Sequence, residues 1–310
     1  MRVVFFGTPK PAAFALRAIA AKHTVLAVVT SPDKPVGRKQ VVTHSDVSNT
    51  ANELGILTLK PEKVKGNEEF LSELRKLQAD IFIVVSYGKI LSLEVIYLPR
   101  FKSLNIHYSL LPKYRGASPI QASLLAGDTE TGITIFELEA GLDTGPIYSQ
   151  IRLPIESNDT YITLESKLTE ISVNSLLELL PNIEAGKATK KTQDNTQASF
   201  CKIIEKSDGA INWKKTALEI YNMYRAYIVW PGIFTTTNGS IIKITKCELS
   251  PGTTDKEPGT LLTGGVVACG QGSILQLLEV VPAGKRAMDI GAFLNGNSHL
   301  IGSKFSNPQM

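Results

Sequence analysis

Short apolar runs alternate with helix-patterned segments along the first part of the chain. Residues 3–6 (VVFF), 24–30 (TVLAVVT) and 81–86 (IFIVVS) are apolar runs of strand length, and the third is typical of a strand buried on both faces. Between the first two runs, residues 11–23 (PAAFALRAIAAKH) repeat apolar side chains at helical spacing. This alternation of strands and helices predicts an α/β fold with a Rossmann-like, mostly parallel sheet.

The middle of the chain indicates how this sheet is closed. Residues 132–139 (GITIFELE) and 146–155 (PIYSQIRLPI) predict a pair of strands joined by the loop 141–145 (GLDTG). From residue 159 to residue 185, apolar side chains recur every three or four positions. That spacing predicts a long amphipathic helix that covers the sheet.

The last third of the chain has a different pattern. Residues 187–207 are polar, basic and without clear periodicity, as is typical of a linker. A helix pattern over 212–227 is followed by short alternating segments around an Asn238-Gly239 turn, which predict a small OB-like β-barrel. The expected domains are a Rossmann-like catalytic domain over 1–186, a linker over 187–207 and an OB-like domain over 208–310.

Composition narrows the class of protein. At 310 residues, with 43% hydrophobic and 20% charged side chains, the chain fits a soluble protein of two domains. No apolar run approaches the length of a membrane span, and the sequence passes from Met1-Arg2 directly into an apolar strand, which leaves no room for a signal peptide. We therefore expect a cytoplasmic protein that does not bind a membrane.

The cysteines predict neither a disulfide framework nor a zinc site. Cys201, Cys247 and Cys269 are odd in number, far apart and without a C-x-x-C pair. This agrees with a reducing compartment.

Positive charge is concentrated late in the chain. Residues 1–186 carry 19 Lys and Arg against 20 Asp and Glu, whereas residues 187–207 carry 5 against 2 and residues 208–310 carry 9 against 7. This distribution suits a polyanionic partner that approaches the linker and the second domain. Ordinary solvation of a linker would give the same charge pattern.

The first strand does not lead into a dinucleotide site. Only Gly7 is present in the turn after this strand, where a G-x-G-x-x-G fingerprint would be needed. Nicotinamide binding is therefore disfavoured.

Candidate chemistry is concentrated between residues 105 and 145. Asn105 and His107 lie two apart in a short apolar run, so their side chains share one strand face about 6.5 Å apart. An amide and an imidazole aimed at one point suit a developing oxyanion, and the imidazole can also move a proton. Asp143, in a Gly-flanked loop, is the best carboxylate to orient the ring. An alternative interpretation is that His107 is a hydrogen-bonded core histidine.

In these motifs the chain resembles the methionyl-tRNA formyltransferases, within the wider group of enzymes that use 10-formyltetrahydrofolate. The group's pattern is Asn-x-His, SLLP, a basic or aromatic residue, RG, PIQ and GD, with DTG further on. It falls here on Asn105, His107, 109–112, 115–116, 119–121, 127–128 and 143–145. WPGIF, IKI and PAGKRAM extend the resemblance over nearly the whole chain.

The resemblance implies an enzyme that moves a formyl group from 10-formyltetrahydrofolate, a co-substrate, to the methionine α-amine of initiator Met-tRNA. It implies that Asn105 and protonated His107 stabilise the tetrahedral oxyanion while Asp143 holds the ring. The implied folate-binding residues are Ser109, Leu110, Leu111 and Pro112. No metal is expected, and the enzyme is expected to be a monomer.

The resemblance also implies where tRNA binds. In these formyltransferases the loop after the second strand reaches toward the end of the acceptor stem, which makes Arg38 a candidate contact. Lys190 and Lys191 are the candidate contacts in the basic linker, and the OB-like domain is expected to bind tRNA.

Other functions remain open from the sequence. A related formyltransferase could act on a nucleotide sugar or a purine precursor, or a related enzyme could hydrolyse formylfolate. The basic linker and the loop with Arg38 favour tRNA, because smaller acceptors need no extended positive surface. An RNA-binding module on an inactive scaffold is a further alternative, although the intact set of Asn105, His107 and Asp143 argues against it.

Overall fold

The computed structural model describes residues 1–36 and 41–307, and it divides into two compact units. The first unit comprises the described parts of Met1–Pro119, Glu130–Pro154 and Glu165–Cys201. The second unit comprises the described parts of Ile120–Thr129, Ile155–Leu164 and Lys202–Met310.

The elements up to Cys201 are numbered along the chain. The strands are β1 (Arg2–Gly7), β2 (Thr24–Val29), β3 (Lys34–Val36), β4 (Val41–Thr43), β5 (Leu57–Leu59), β6 (Ile81–Val85), β7 (Ser103–His107), β8 (Arg115–Gly116), β9 (Glu130–Glu137), β10 (Ile147–Pro154) and β11 (Phe200–Cys201). The helices are α1 (Lys10–Ala20), α2 (Asp46–Glu53), α3 (Glu68–Leu77), α4 (Leu93–Ile96), α5 (Pro119–Ala126) and α6 (Tyr161–Glu184).

The described strands of the first unit form a seven-stranded sheet in the order β10-β9-β7-β6-β1-β2-β5. Strands β5, β2, β1, β6 and β7 run parallel to one another, which confirms the predicted mostly parallel sheet. Every residue of β6 is buried, as its continuous apolar run predicts for a strand covered on both faces. The carboxyl ends of these parallel strands form one edge of the sheet, where open α/β sheets bind ligands.

Two antiparallel strands close the sheet beside β7. Strand β9 pairs with β7 and with β10, so the predicted strand pair is confirmed. The register places Asn105 opposite Phe136 and His107 opposite Thr134. The strand pair therefore supplies the neighbours of both candidate catalytic side chains.

The segment after α6 returns to the first unit. The backbone of Lys191 exchanges two hydrogen bonds of 2.8 Å with that of Ile147, and β11 pairs with β8 in parallel. The predicted linker over 187–207 is therefore divided, because its residues up to Cys201 pack on the first unit and the rest belong to the second. The two units differ from the predicted domains in this respect and because Ile120–Thr129, with most of α5, and Ile155–Leu164 are grouped with the second unit.

The second unit is dominated by antiparallel strands. Its further elements are α7 (Ala217–Tyr227), β12 (Ile233–Thr237), β13 (Ser240–Leu249), β14 (Val266–Ala268), β15 (Ile274–Pro282), β16 (Met288–Asp289) and α8 (Ile290–Asn295). The described strands follow the order β12-β13-β15-β14, and β16 also pairs with β15. Asn238 and Gly239, both at positive φ, form the predicted turn between β12 and β13. This unit is a separate C-terminal β domain.

Helix α7 begins later than the helix pattern predicts. Thr216 caps it by accepting a hydrogen bond from the Glu219 backbone N–H, while the Glu219 carboxylate accepts one from the Thr216 backbone N–H. This reciprocal pair starts the helix at Ala217 and leaves the preceding residues outside it. Among them, Trp213 is buried, donates to Thr235 Oγ1 and stacks on Phe305 at 5.8 Å.

Among the residues that the structure describes, none of the helices combines the length and the apolar character needed to cross a bilayer.

Candidate active site

Strand β7 carries Asn105 and His107 on one face, as expected because successive side chains of a strand point to opposite faces. Leu104 and Ile106, which point the other way, are buried in the core. His107 is also buried, whereas Asn105 is partly exposed. The polar face of β7 is thus open at Asn105 and enclosed at His107.

Backbone and side-chain groups fix the His107 ring on three sides. Its Nε2–H donates to the Tyr114 carbonyl at 2.8 Å, its Nδ1 lies 3.7 Å from Asp143 Oδ2, and its edge meets the Phe136 ring at an interplanar angle of 85°. With the proton on Nε2, the Nδ1 lone pair is free to accept a proton beside the carboxylate. The ring is therefore arranged as a proton acceptor.

Burial lowers the pKa of His107 below its usual value, and the Asp143 carboxylate and the Tyr114 carbonyl oppose this effect. Burial dominates because the carboxylate is beyond hydrogen-bond distance of Nδ1. The resting imidazole is thus neutral near pH 7. The resemblance implies a protonated His107 only at the tetrahedral oxyanion, and that role stays a prediction. Because the ring N–H is bound to a backbone carbonyl, Nδ1 is the ring atom available to accept a proton.

The Asn105 side chain makes no hydrogen bond with any other described residue. Its position two residues before His107 places it about 6.5 Å along the strand. An amide that is not engaged within the protein is available to donate to a substrate oxygen. Asn105 is therefore the candidate oxyanion donor of this site.

The Asp143 loop is held in an unusual backbone conformation. Asp143 has φ +52°, in the left-handed region, and its Oδ2 accepts a hydrogen bond from the Gly116 backbone N–H at 2.8 Å. Gly145 follows where the chain passes so close to Glu137 that an added Cβ would lie 1.7 Å from the Glu137 carbonyl oxygen. The glycine allows the loop to turn the carboxylate toward β7.

A buried network that the sequence analysis missed supports this loop. Gln193 Nε2 donates to the carbonyls of Asp143 and Gly145, both at 2.8 Å, and Gln193 Oε1 accepts from the Arg115 guanidinium at 2.7 Å. Arg115 also donates to Asn195 Oδ1 at 2.7 Å, and its exposed fraction is only 3%. Arg115 and Gln193 are thus positioning residues that join the segment after α6 to the site.

The folate-binding residues expected from the resemblance form a compact turn after β7. The Leu111 N–H donates to Thr134 Oγ1 at 3.1 Å, and Thr134 Oγ1 in turn donates to the Ser109 carbonyl at 2.7 Å. Ser109 and Leu111 are buried, whereas Leu110 and Pro112 are partly exposed. The exposed part of the turn is therefore at Leu110 and Pro112.

The candidate tRNA contacts differ in their surroundings. Lys190 Nζ donates to the Glu137 carboxylate at 2.7 Å, and this hydrogen bond raises the pKa of Lys190. The Lys191 side chain is exposed. Arg38 lies outside the described residues.

No group of three or more His, Cys, Asp or Glu side chains within the described ranges 1–36 and 41–307 could hold a metal ion.

Two family profiles match this chain. The profile described as formyl transferase matches residues 1–180, and the profile of the formyl transferase C-terminal domain matches residues 203–298.

Two relatives that match over nearly their whole length are methionyl-tRNA formyltransferases. The chain is 41% identical over 304 residues to a methionyl-tRNA formyltransferase of Caldicellulosiruptor saccharolyticus, and the match covers 96% of this chain and 97% of that protein. It is 40% identical over 302 residues to a methionyl-tRNA formyltransferase of Methylococcus capsulatus, with the same coverage of 96% and 97%.

A solved structure shares the fold. WlaRD, a sugar 3N-formyl transferase crystallised with dTDP and 5-N-formyl-THF, superimposes with a TM-score of 0.67. The sequences are 22% identical, and the match covers 92% of this chain and 99% of that chain.

Proposed function

The chain belongs to the formyl transferase family, and we propose on that premise that it formylates the methionine α-amine of initiator Met-tRNA. The formyl donor is 10-formyltetrahydrofolate, which is a co-substrate. The observation that carries the proposal is the identity of about 40% with methionyl-tRNA formyltransferases over 96% of the chain. This identity extends through both units, so it includes the part of the chain beyond the catalytic sheet.

The proposed chemistry uses the groups that meet at β7. The methionine amine attacks the formyl carbon, and the neutral Nδ1 of His107 accepts the proton that the amine loses. The Asn105 amide donates to the oxyanion of the tetrahedral intermediate. The bond from the formyl carbon to folate N10 then breaks, N10 takes up a proton, and tetrahydrofolate and formyl-Met-tRNA are released. Asp143 stabilises the imidazolium that exists between these two proton transfers.

Asp143→Asn is expected to lower kcat by about 10² and to shift the acidic limb of the pH profile to lower pH. Asparagine tolerates positive φ and can still accept the Gly116 N–H, but it removes the negative charge that raises the pKa of His107. The check is kcat/KM from pH 5 to 8, which should fall as pH decreases through the pKa of the required neutral imidazole. A variant that unfolds, or one whose limb does not move, would assign Asp143 a structural role only.

The proposed folate site lies beside the turn of Ser109, Leu110, Leu111 and Pro112. Gln150 Nε2 donates to the Leu111 carbonyl at 2.9 Å, and this bond and the Thr134 contacts hold the turn rigidly against β9 and β10. A rigid turn beyond the carboxyl end of β7 gives a planar ligand a fixed surface close to His107.

The proposed tRNA contacts are Arg38, Lys190, Lys191 and the C-terminal β domain, which we propose to be an OB-like barrel. Isolated bridges from Thr236 to Ser306 and from Thr260 to Lys304 add short connections beyond its main sheet, as barrel closure requires. Lys191, with an exposed side chain, is the freer cation of the linker pair, because Lys190 shares its ammonium with Glu137.

Arg38→Ala is expected to raise KM for Met-tRNA and to leave KM for 10-formyltetrahydrofolate unchanged. The reason is that a phosphate contact in this loop would act on the second substrate independently of the folate site. Steady-state kinetics with each substrate varied in turn provide the measurement. Equal Met-tRNA kinetics in the variant and the wild type would make Arg38 a solvated loop residue.

A comparison of acceptors tests the proposed function. The protein is incubated with 10-formyltetrahydrofolate and with Met-tRNA, a UDP-amino sugar or glycinamide ribonucleotide, and formylation of each acceptor is measured. We expect formylation of Met-tRNA alone, and preferential formylation of either small acceptor would overturn the assignment. As a translation enzyme it would act in the cytoplasm, and we propose that it is a monomer.

A further inference from the structure

A cavity of about 330 Å³ lies in the first unit at the start of β7, away from the catalytic end of that strand. It is bounded by the residues before β7, by the ends of β9 and α6 and by the segment after α6. Its basic lining residues are Arg100, Lys102 and Lys190, and its acidic one is Glu137. Lys102 directly precedes β7, and His107 is five residues further along, so the two residues are on the order of 16 Å apart.

Glu137, the acidic residue of this lining, already has two hydrogen-bond donors. Glu137 accepts a hydrogen bond from Lys190 Nζ at 2.7 Å and one from the Tyr148 hydroxyl at 3.2 Å. The Glu137 side chain is largely buried, whereas that of Lys190 is partly exposed. The positive charge of Lys190 is therefore balanced within the cavity.

Two cations of the lining are not balanced. Neither Arg100 nor Lys102 has a carboxylate partner within the described residues; Arg100 lies over the Phe101 ring at 4.8 Å and Lys102 over the Tyr97 ring at 5.0 Å. The lining thus has an excess of positive charge, and each of the two cations lies over a neighbouring aromatic ring. An anion is the ligand that complements such a lining.

The backbone conformation of Lys102 gives independent support for an anion site in this cavity. Lys102 has φ +63°, a left-handed conformation that is unfavourable for a side chain other than glycine, asparagine or aspartate. Its N–H donates to the Pro99 carbonyl at 3.0 Å, so a tight turn fixes this conformation. Strained residues of this kind concentrate at functional sites, and here the strain places a lysine at a cavity.

We propose that Arg100 and Lys102 bind a backbone phosphate of the tRNA substrate in this cavity, beside the pair formed by Lys190 and Glu137. The inference rests on the proposed function, which supplies a polyanionic substrate. A phosphate suits the site because its oxygens accept hydrogen bonds from guanidinium and ammonium groups together. Part of the tRNA platform then belongs to the catalytic half of the chain, although the net charge of residues 1–186 is slightly negative.

The decisive variant is Lys102→Gly in the full chain. Glycine adopts φ +63° without strain, so the melting temperature is expected not to fall, and a loss of binding cannot come from misfolding. The slope of log K against log salt for initiator tRNA should become shallower by about 0.7 to 0.9, the value for one phosphate contact. KM for Met-tRNA should rise, and KM for 10-formyltetrahydrofolate should not change. Arg100→Gln should have the same effect on the slope.

Lys22→Gln is the matched control, because it removes one charge from an exposed lysine of the same unit that does not line the cavity. A slope change in Lys102→Gly that equals the change in this control would overturn the proposal. Inorganic phosphate provides a second probe: stabilisation of the wild type by phosphate, lost in Lys102→Gly but without any effect on tRNA, would make this a site for free anions and would also overturn it. If the wild type fails to formylate Met-tRNA at all, the proposed function fails, whereas an unchanged salt slope in an active enzyme refutes the phosphate site alone.

Discussion

Replacing His107 by alanine is expected to lower kcat for formyl transfer by at least ~10². The substitution removes Nδ1, the atom beside Asp143 that we propose accepts the amine proton, and no other described imidazole lies in this site. Binding of 10-formyltetrahydrofolate should persist, because the folate turn is held by Thr134 and Gln150. Single-turnover formylation of Met-tRNA and folate binding by fluorescence measure the two effects separately.

Tyr108→Phe is the matched control for this prediction. Tyr108 is also buried and follows His107 directly, but its hydroxyl bonds to Thr169 at 3.0 Å. Its loss should cost stability and leave kcat within a few-fold of the wild type. If His107→Ala and Tyr108→Phe reduce kcat equally, the ring has no role in proton transfer and acts through packing alone.

Replacing Asn105 by alanine is expected to reduce kcat by about 10² to 10³, which is the usual effect of removing one oxyanion donor. The structure supports this magnitude because the Asn105 amide has no partner among the described residues and is therefore available at the open part of the β7 face. KM for both substrates should change little, since the interaction develops only in the transition state. Pre-steady-state kinetics at saturating substrates provide the measurement.

Asn105→Asp tests whether Asn105 acts by donating a hydrogen bond or only by the size of its side chain. The carboxylate has nearly the same size as the amide, but when ionised it donates no hydrogen bond and repels a developing oxyanion. Its kcat should therefore be at least as low as that of the alanine variant. An aspartate variant with near-normal kcat would show that Asn105 contributes only packing or orientation.

Most of the central sheet was predictable because β1, β2, β6, β7, β9 and β10 each carry a local signal, whereas the three-residue strand β5 at its edge was not predicted. β1, β2 and β6 are apolar runs, and that pattern agrees with the burial of all of β6, of Val3 to Gly7 in β1 and of Ala27 to Val29 in β2. The strand face shared by Asn105 and His107 needed only the period of two along β7. These features depend on residues that are close in sequence, so the local pattern of apolar side chains predicts them.

The support of the site was not predictable because it depends on contacts between distant segments. Arg115 and Gln193 are 78 residues apart, and Gln193 lies in a polar stretch whose composition is typical of a solvated linker. The protonation state of His107 also required structure, since the Tyr114 carbonyl that fixes its tautomer is a backbone group with no sequence signature. A weaker signal for Arg115 was its place in the motif next to Gly116, whose backbone N–H holds Asp143.

The contacts of Gln193 also bear on how this enzyme folds during synthesis and on where two relatives can be recombined. During synthesis, the Asp143 loop cannot acquire its buried supports until the ribosome has released the chain well beyond Asn195. A nascent chain that ends at residue 186 would have every strand of the main sheet and still lack the amide oxygens that accept hydrogen bonds from the Arg115 guanidinium. Recombination between relatives meets the same requirement. A crossover after Cys201 takes the Asp143 loop and Gln193 from one parent. A crossover at residue 186 takes them from different parents, so the Gln193 segment of one must fit the loop of the other.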